Sequence, residues 1–226
     1  LKEDKVSLKE AIGDLPIIRS NPHRLNLDPK NEVPIPTIEE QLKLDMPTTF
    51  GEFESTLNYG EIVDVDKQSK YVKDINGSFS YEYHEKKLFN HKSRFQNDRD
   101  LEIYKMLVPG KYLTHKSNKR ALEACPYHVG TFADKYFKLD PNKPSKTVVA
   151  HLSNDNNSYV HYGNIPRGIT PREAARIQSF PDHYKFYGSQ GAQFKQIGNA
   201  VPPKLAKKIA LALTLVLHSK GSDKQD

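Results

Sequence analysis

Thr170-Pro171-Arg172-Glu173 leaves the backbone few options. A Thr before a Pro, with a Glu at the third helical position, is the pattern of a capped helix start. Thr170 serves as N-cap, Pro171 takes the first helical position, and Glu173 closes a reciprocal capping box. Ile169 ahead of the cap and Ala174 behind it suit a hydrophobic staple. Ala174, Ala175 and Ile177 carry the helix towards Phe180-Pro181, where proline is expected to stop it. Farther on, Gly198-Asn199 reads as a turn, and Pro202-Pro203 opens a long helix. Leu205, Ile209, Ala212, Leu213, Val216 and Leu217 fall on one apolar stripe of that helix. The block from Arg167 to Leu205 organises the chain.

Upstream, residues 5–16 predict a short helix with a Ser7-x-x-Glu10 capping box, ended by Gly13 and Pro16. Residues 17–36 are rich in Pro and Asn and read as a surface linker, and Thr37 to Asp45 as another capped helix. From about Thr56 to Tyr83 the pattern turns to β: Tyr71, Ile75, Phe79, Tyr81 and Tyr83 flank Asn76-Gly77, a hairpin signal. The N-x-S match at Asn76 is better read as that turn than as a glycosylation site. Asn97 to Leu107 predicts a helix with a capping Asn and an apolar face of Leu101, Tyr104 and Leu107, ended by Pro109-Gly110. Residues 111–120 hold four Lys or Arg and no acid, a solvated face or a phosphate contact. Asp140 to Ser145 is a turn-rich loop before a short strand, Thr147-Val148-Val149.

Composition narrows the function classes. The net charge of +6 is compatible with a polyanionic partner but does not establish one. A single cysteine excludes an internal disulfide and suits a reducing compartment such as a cytoplasm. No apolar run is long enough to span a bilayer, so no membrane partner is expected, and no metal site either. The first residue is Leu rather than Met, so the chain is expected to be processed or excised from something longer.

The runs T-P-R-E-A-A-R-I-Q-S-F-P-D and Q-I-G-N-A-V-P-P-K-L, in that order and separation, resemble the last two conserved blocks of the cytosine-5 DNA methyltransferases. Three further segments are similar to the same family. They are A-I-G-D-L-P at residues 11–16, Asn90-His91 with Arg94, and the D-P-x-K-P-S-x-T-V run ending at Thr147-Val148. The resemblance implies a mixed α/β fold. A small β-rich target-recognition domain with helices would be joined by C-terminal helices. These would complete a doubly wound, S-adenosylmethionine-dependent methyltransferase domain supplied by a missing N-terminal portion. It divides the chain into a connection from the catalytic portion (1–16), a target-recognition domain (17–166), a hinge and supporting helix (167–197), a return to the catalytic domain (198–220) and a polar tail (221–226).

Carbon 5 of cytosine is a weak nucleophile. A methyltransferase of this kind therefore needs a cysteine thiolate that adds at carbon 6, an acid near the ring nitrogen, and a pocket for a flipped base. The sequence has no Pro-Cys nucleophile loop, no Glu-Asn-Val acid motif and no Gly-rich start to a doubly wound domain. Cys125 stands before Pro126, the reverse order, and reads as a partly buried structural thiol. No catalytic residue is therefore assigned in this chain. By resemblance, Asn199 and Val201 contact S-adenosylmethionine, and Thr147 approaches the DNA backbone. Arg94, Lys116, Arg120 and His151 are DNA-contact candidates on the chemistry of their side chains alone. Arg172, Glu173 and Arg176 read as structural support: by resemblance the arginines brace the recognition domain, and the alternative is that they only cap carbonyls or pair with Glu173 and Asp182.

The expected partners are double-stranded DNA and the N-terminal catalytic portion, as the same polypeptide or a separate subunit, within a restriction-modification system. Two other classes compete with this reading: a non-catalytic, sequence-specific DNA-binding module and the RNA-methylating branch of the family. Val216 and Leu217, apolar on the last helix, disfavour the first, and the long region between residues 17 and 166 disfavours the second.

Overall fold

The computed structural model describes residues 5–15, 18, 61–62, 67–77, 87–126, 135–153 and 156–222. Most of the 17–36 linker, the Thr37–Asp45 segment, and Phe79, Tyr81 and Tyr83 lie outside them.

The first helix, α1 (Leu8–Ile12), starts as its sequence dictates. Ser7 Oγ accepts from Glu10 N–H, and Glu10 accepts from Ser7 N–H. Leu8, Ala11 and Ile12 point into the core. A two-residue strand, β1 (Glu61–Ile62), pairs antiparallel with β2 (Lys87–Leu88). Between them lies a helix, α2 (Lys70–Gly77), where a hairpin was expected. Ser69 Oγ accepts from Val72 N–H as a cap would, and Val72 and Ile75 fall at helical spacing, both fully buried. Asn76-Gly77 therefore ends a helix instead of turning a hairpin.

Helix α3 (Asp98–Met106) is capped by Asn97 Oδ1, which accepts from Asp100 N–H. Its buried face is Ile103, Tyr104 and then Leu107, with Leu101 only partly covered. A 3-10 turn (Lys116–Asn118) runs into α4 (Lys119–Ala124), and Cys125 closes it, half-buried. With Leu113, Ala121, Tyr136 and Val160 these elements form the smaller of two cores.

The expected strand at Thr147-Val148-Val149 does not form. Thr147 C=O accepts from the Tyr159 hydroxyl and Val149 C=O from Leu152 N–H, so both carbonyls are committed to a loop rather than a ladder. Among the described residues, extended pairing is limited to β1–β2 and three isolated bridges, Tyr112–Phe137, Lys138–Val160 and Val160–Gly168. Among the described residues between 17 and 166 the expected β-rich character is not found: their buried apolar residues build helices and irregular loops.

Helix α5 (Pro171–Ile177) has the Thr170–Glu173 capping box on both sides. It stops earlier than Pro181 demands. Ser179 adopts φ 64°, its N–H donates to Arg176 C=O, and Phe180 N–H donates to Ala175 C=O. That pair of bonds is a Schellman ending. A further helix, α6 (Gln190–Asn199), is capped by Ser189 and buries Gln193, Phe194 and Ile197. It absorbs Gly198-Asn199 into its last turn, which corrects the expected free-standing turn. After Pro202 the long helix α7 (Pro203–Ser222) begins as expected. The larger core joins α1, α5 and α6 through Leu8, Ile12, Ile169, Ala174, Phe194 and Ile197.

Candidate site around the buried arginines

Helix α5 carries two arginines one turn apart, both fully buried. Two uncompensated guanidinium groups in an apolar core would be untenable, so the surroundings must supply acceptors. For Arg172 they are carbonyls: Nε donates to Phe89 C=O (2.7 Å), Nη1 to Pro181 C=O (3.0 Å) and Nη2 to Tyr184 C=O (2.6 Å). The chain after α5 is fastened a second time beside Phe89, by Asn90, whose left-handed backbone (φ 63°) presents its amide to both backbone groups of Phe186. Asn is among the few residues that tolerate that conformation.

For Arg176 the acceptors are carboxylates. It binds Asp182 through two parallel bonds of 2.8 Å and Asp14 through Nη1. Burial alone would push the Asp182 carboxyl up, yet Arg176 and Arg172 hold it below the usual carboxylate range. Asn76 from α2 grips Asp182 from the far side, accepting its N–H (2.8 Å) and donating to Oδ2 (3.0 Å). Tyr71 donates to Arg176 C=O (2.7 Å), and burial raises its phenol to about 12.

Glu173, next to Arg172 on α5, is buried among a different set of partners. Arg167 meets it bidentately, both bonds at 2.7 Å, and Thr170 N–H donates to Oε2. Burial would raise the Glu173 carboxyl, but Arg167 and His161 together drive it far below the carboxylate range. His161 Nε2 lies 3.5 Å from Glu173 Oε1, while Gly163 N–H donates to Nδ1 at 2.9 Å. That donor fixes the neutral tautomer with hydrogen on Nε2, and burial lowers the ring to about 4. A cavity of about 270 Å³ opens beside this cluster, between Leu15, Ile18, Tyr162 and Ile165.

The end of α5 pins the next two helices. Gln178 Nε2 donates to Ile197 C=O (3.2 Å) and Ala200 C=O (3.4 Å), and Ser179 Oγ accepts from Lys204 N–H (3.1 Å). Asn199 and Val201, held between these anchors, are both exposed. Thr147 and His151 are exposed in the 147–153 loop, and Arg94, half-buried, donates to Ser153 C=O (2.8 Å). Three of the five DNA-contact candidates thus meet at one loop. Lys116 and Arg120 are exposed on a different segment, the 3-10 turn and α4.

Asp14, Arg167 and Gln178 carried no site signal in the sequence, and Asn76 reads there as a turn rather than as a partner of Asp182. Only Asn76 had a legible signal, the helical spacing of Tyr71, Val72 and Ile75 behind Ser69.

The C-5 cytosine-specific DNA methylase family model matches residues 26–214. The chain belongs to that family. It is 59% identical over 88 residues to a protein of Oceanobacillus iheyensis named "Putative type II methyltransferase M.OihORF3336P", covering 39% of this chain and 19% of the relative. It is 52% identical over 86 residues to the type II methyltransferase M.AgeI of Thalassovita gelatinovora, covering 38% and 20%. A third relative, M.Bpa9945I of Bacillus paralicheniformis, is 37% identical over 144 residues, covering 57% and 30%. The match therefore spans less than a third of each relative's length. An E. coli crystal structure described as a DNA modification methyltransferase encoded within a prophage superposes with TM-score 0.60 at 21% identity, covering 95% of this chain and 48% of that one. A fold found in a DNA methyltransferase is thus shared by almost the whole chain. Among the described residues, no helix is long and apolar enough to cross a membrane.

Proposed function

We propose that this chain is the C-terminal, DNA-recognising portion of a cytosine-5 DNA methyltransferase in a restriction-modification system. An N-terminal portion carrying the nucleophile completes the enzyme. The observation that carries the reading is α7, which lies largely within the family match yet leaves its apolar stripe open. Leu205, Ile209, Leu213, Val216 and Leu217 are 48–71% exposed. A stripe of that kind on a water-soluble surface marks a docking face, here for the catalytic portion. The only cysteine, Cys125, half-buried and followed by proline, is no nucleophile in this reading.

The residues at the α6–α7 junction fit one edge of an S-adenosylmethionine site. Asn199 offers an amide donor and acceptor and Val201 an apolar side chain, both turned outward and held by Gln178. S-adenosylmethionine supplies the methyl group; this chain's residues position it and grip the duplex. Thr147, His151 and Arg94 on the 147–153 loop, with Lys116 and Arg120, take the DNA backbone and base edges. Residues 17–166 form the recognition domain, and the buried pairs Arg176–Asp182 and Arg167–Glu173, with the Arg172 carbonyl contacts, brace it against the returning helices.

The deciding experiment is methyl transfer from labelled S-adenosylmethionine to unmethylated DNA, with this chain alone and then mixed with the N-terminal portion from its native gene or neighbour. Activity only in the mixture supports the reading. Activity of the chain alone overturns it, and DNA binding without methylation in either arm favours a stand-alone binding module.

A further inference from the structure

Gly198 stands in the last turn of α6, and the backbone of the 147–153 loop lies against it. A Cβ at position 198 would sit 2.4 Å from Val149 C=O oxygen and 3.2 Å and 3.3 Å from the carbonyl oxygen and carbon of Ala150. The atoms met are backbone, so no side-chain rotation relieves the clash, and only glycine allows the approach.

Each side of this contact is held independently. On the helix side, Gln178 fixes the carbonyls of Ile197 and Ala200. On the loop side, Tyr159 holds Thr147 C=O, Arg94 holds Ser153 C=O, and Leu152 is buried in the larger core. Neither partner can yield without breaking one of these anchors, so a shift of one is passed to the other. Next to Gly198 in sequence stands Asn199, on the proposed cofactor edge. Directly across the contact, Val149 and Ala150 lie between Thr147 and His151 in the loop, two of the proposed DNA contacts.

We infer that Gly198 is a positioning residue that couples the two ligands: the DNA-contact loop seats on α6 only because residue 198 lacks a side chain, and occupancy of either site tightens the other. The inference rests on the proposed function, and linkage makes the coupling reciprocal.

The test is equilibrium binding of S-adenosylhomocysteine to the complete methyltransferase, with and without sheared unmethylated genomic DNA. The unaltered enzyme should bind it about fivefold more tightly or better when DNA is present. Gly198→Ala should lose that gain while binding S-adenosylhomocysteine alone within about twofold of the unaltered enzyme. Tyr159→Phe, which frees Thr147 C=O from the other side, should reduce the gain in the same sense, and it decides the matter if Gly198→Ala does not fold. Full coupling in the variants, no coupling in the unaltered enzyme, or an equal loss of affinity with and without DNA in Gly198→Ala overturns the inference. Failure of the unaltered enzyme to bind either ligand would instead remove the proposed function itself.

Discussion

Arg176 and Asp182 face each other across the end of α5 with both side chains buried, joined by two parallel 2.8 Å hydrogen bonds. The pair is a junction rather than an isolated bridge. Asp14 from the segment after α1 reaches the same guanidinium, and Asn76 from α2 reaches the same carboxylate. Asp182→Ala would leave a buried cation short of its main partner and strand Asn76. Breaking a buried pair from one side costs about 3–5 kcal/mol. Urea unfolding should show a loss of that size. A change within about 0.5 kcal/mol would mean the junction contributes nothing net.

Glu173 and His161 predict a pH dependence of stability. Folding lowers His161 from 6.5 to about 4. Between those values the unfolded chain binds a proton that the folded one refuses, so stability falls as pH drops from about 6.5 to 4, by roughly 3 kcal/mol. Glu173, depressed by Arg167 and His161 despite its burial, adds stability that is present above the unfolded carboxylate range and is lost at more acid pH. Thermal melts across pH 4–7 should slope upward, and His161→Gln should flatten most of that slope. An unaltered slope in the variant would place its origin elsewhere.

Asn199→Ala in the complete enzyme should weaken S-adenosylmethionine binding, by about tenfold if one hydrogen bond to the charged or polar ligand is lost, while DNA affinity stays nearly the same. Isothermal titration with each ligand separates the two effects. Equal cofactor affinity would remove Asn199 from the site.

Cys125→Ser should leave methyl transfer by the complete enzyme essentially unchanged. Cys125 closes α4 through its backbone N–H, which donates to Leu122 C=O, and its side chain packs against the smaller core. A dead enzyme that still binds DNA would reverse the division of labour proposed between the two portions.

Ile209→Asp with Leu213→Asp should change the stability of this chain by no more than about 0.5 kcal/mol, because both residues are exposed. The same double variant should abolish association with the N-terminal portion in sedimentation velocity. Persistent association would show that the docking face is elsewhere.

Local chemistry determined a good deal of this protein in advance. Ser7–Glu10, Asn97 and Thr170–Glu173 fix where three helices start, because a cap satisfies orphan N–H groups only from one position in the chain. The stripe from Leu205 to Leu217 likewise specifies a helix by its period alone. Asn76 shows where such reasoning stops. Asn-Gly favours a hairpin locally, but two buried side chains at helical spacing and a carboxylate more than a hundred positions away outweigh that preference. Tertiary structure alone decided which acceptors Arg172 and Arg176 would find. Their hydrogen bonds end on carbonyls and acids of the segment after α1, the segment after β2 and the Pro181–Tyr184 turn, and no sequence spacing encodes those approaches. It alone set Gly198 against Val149, since a missing side chain leaves no trace of what comes to fill its place.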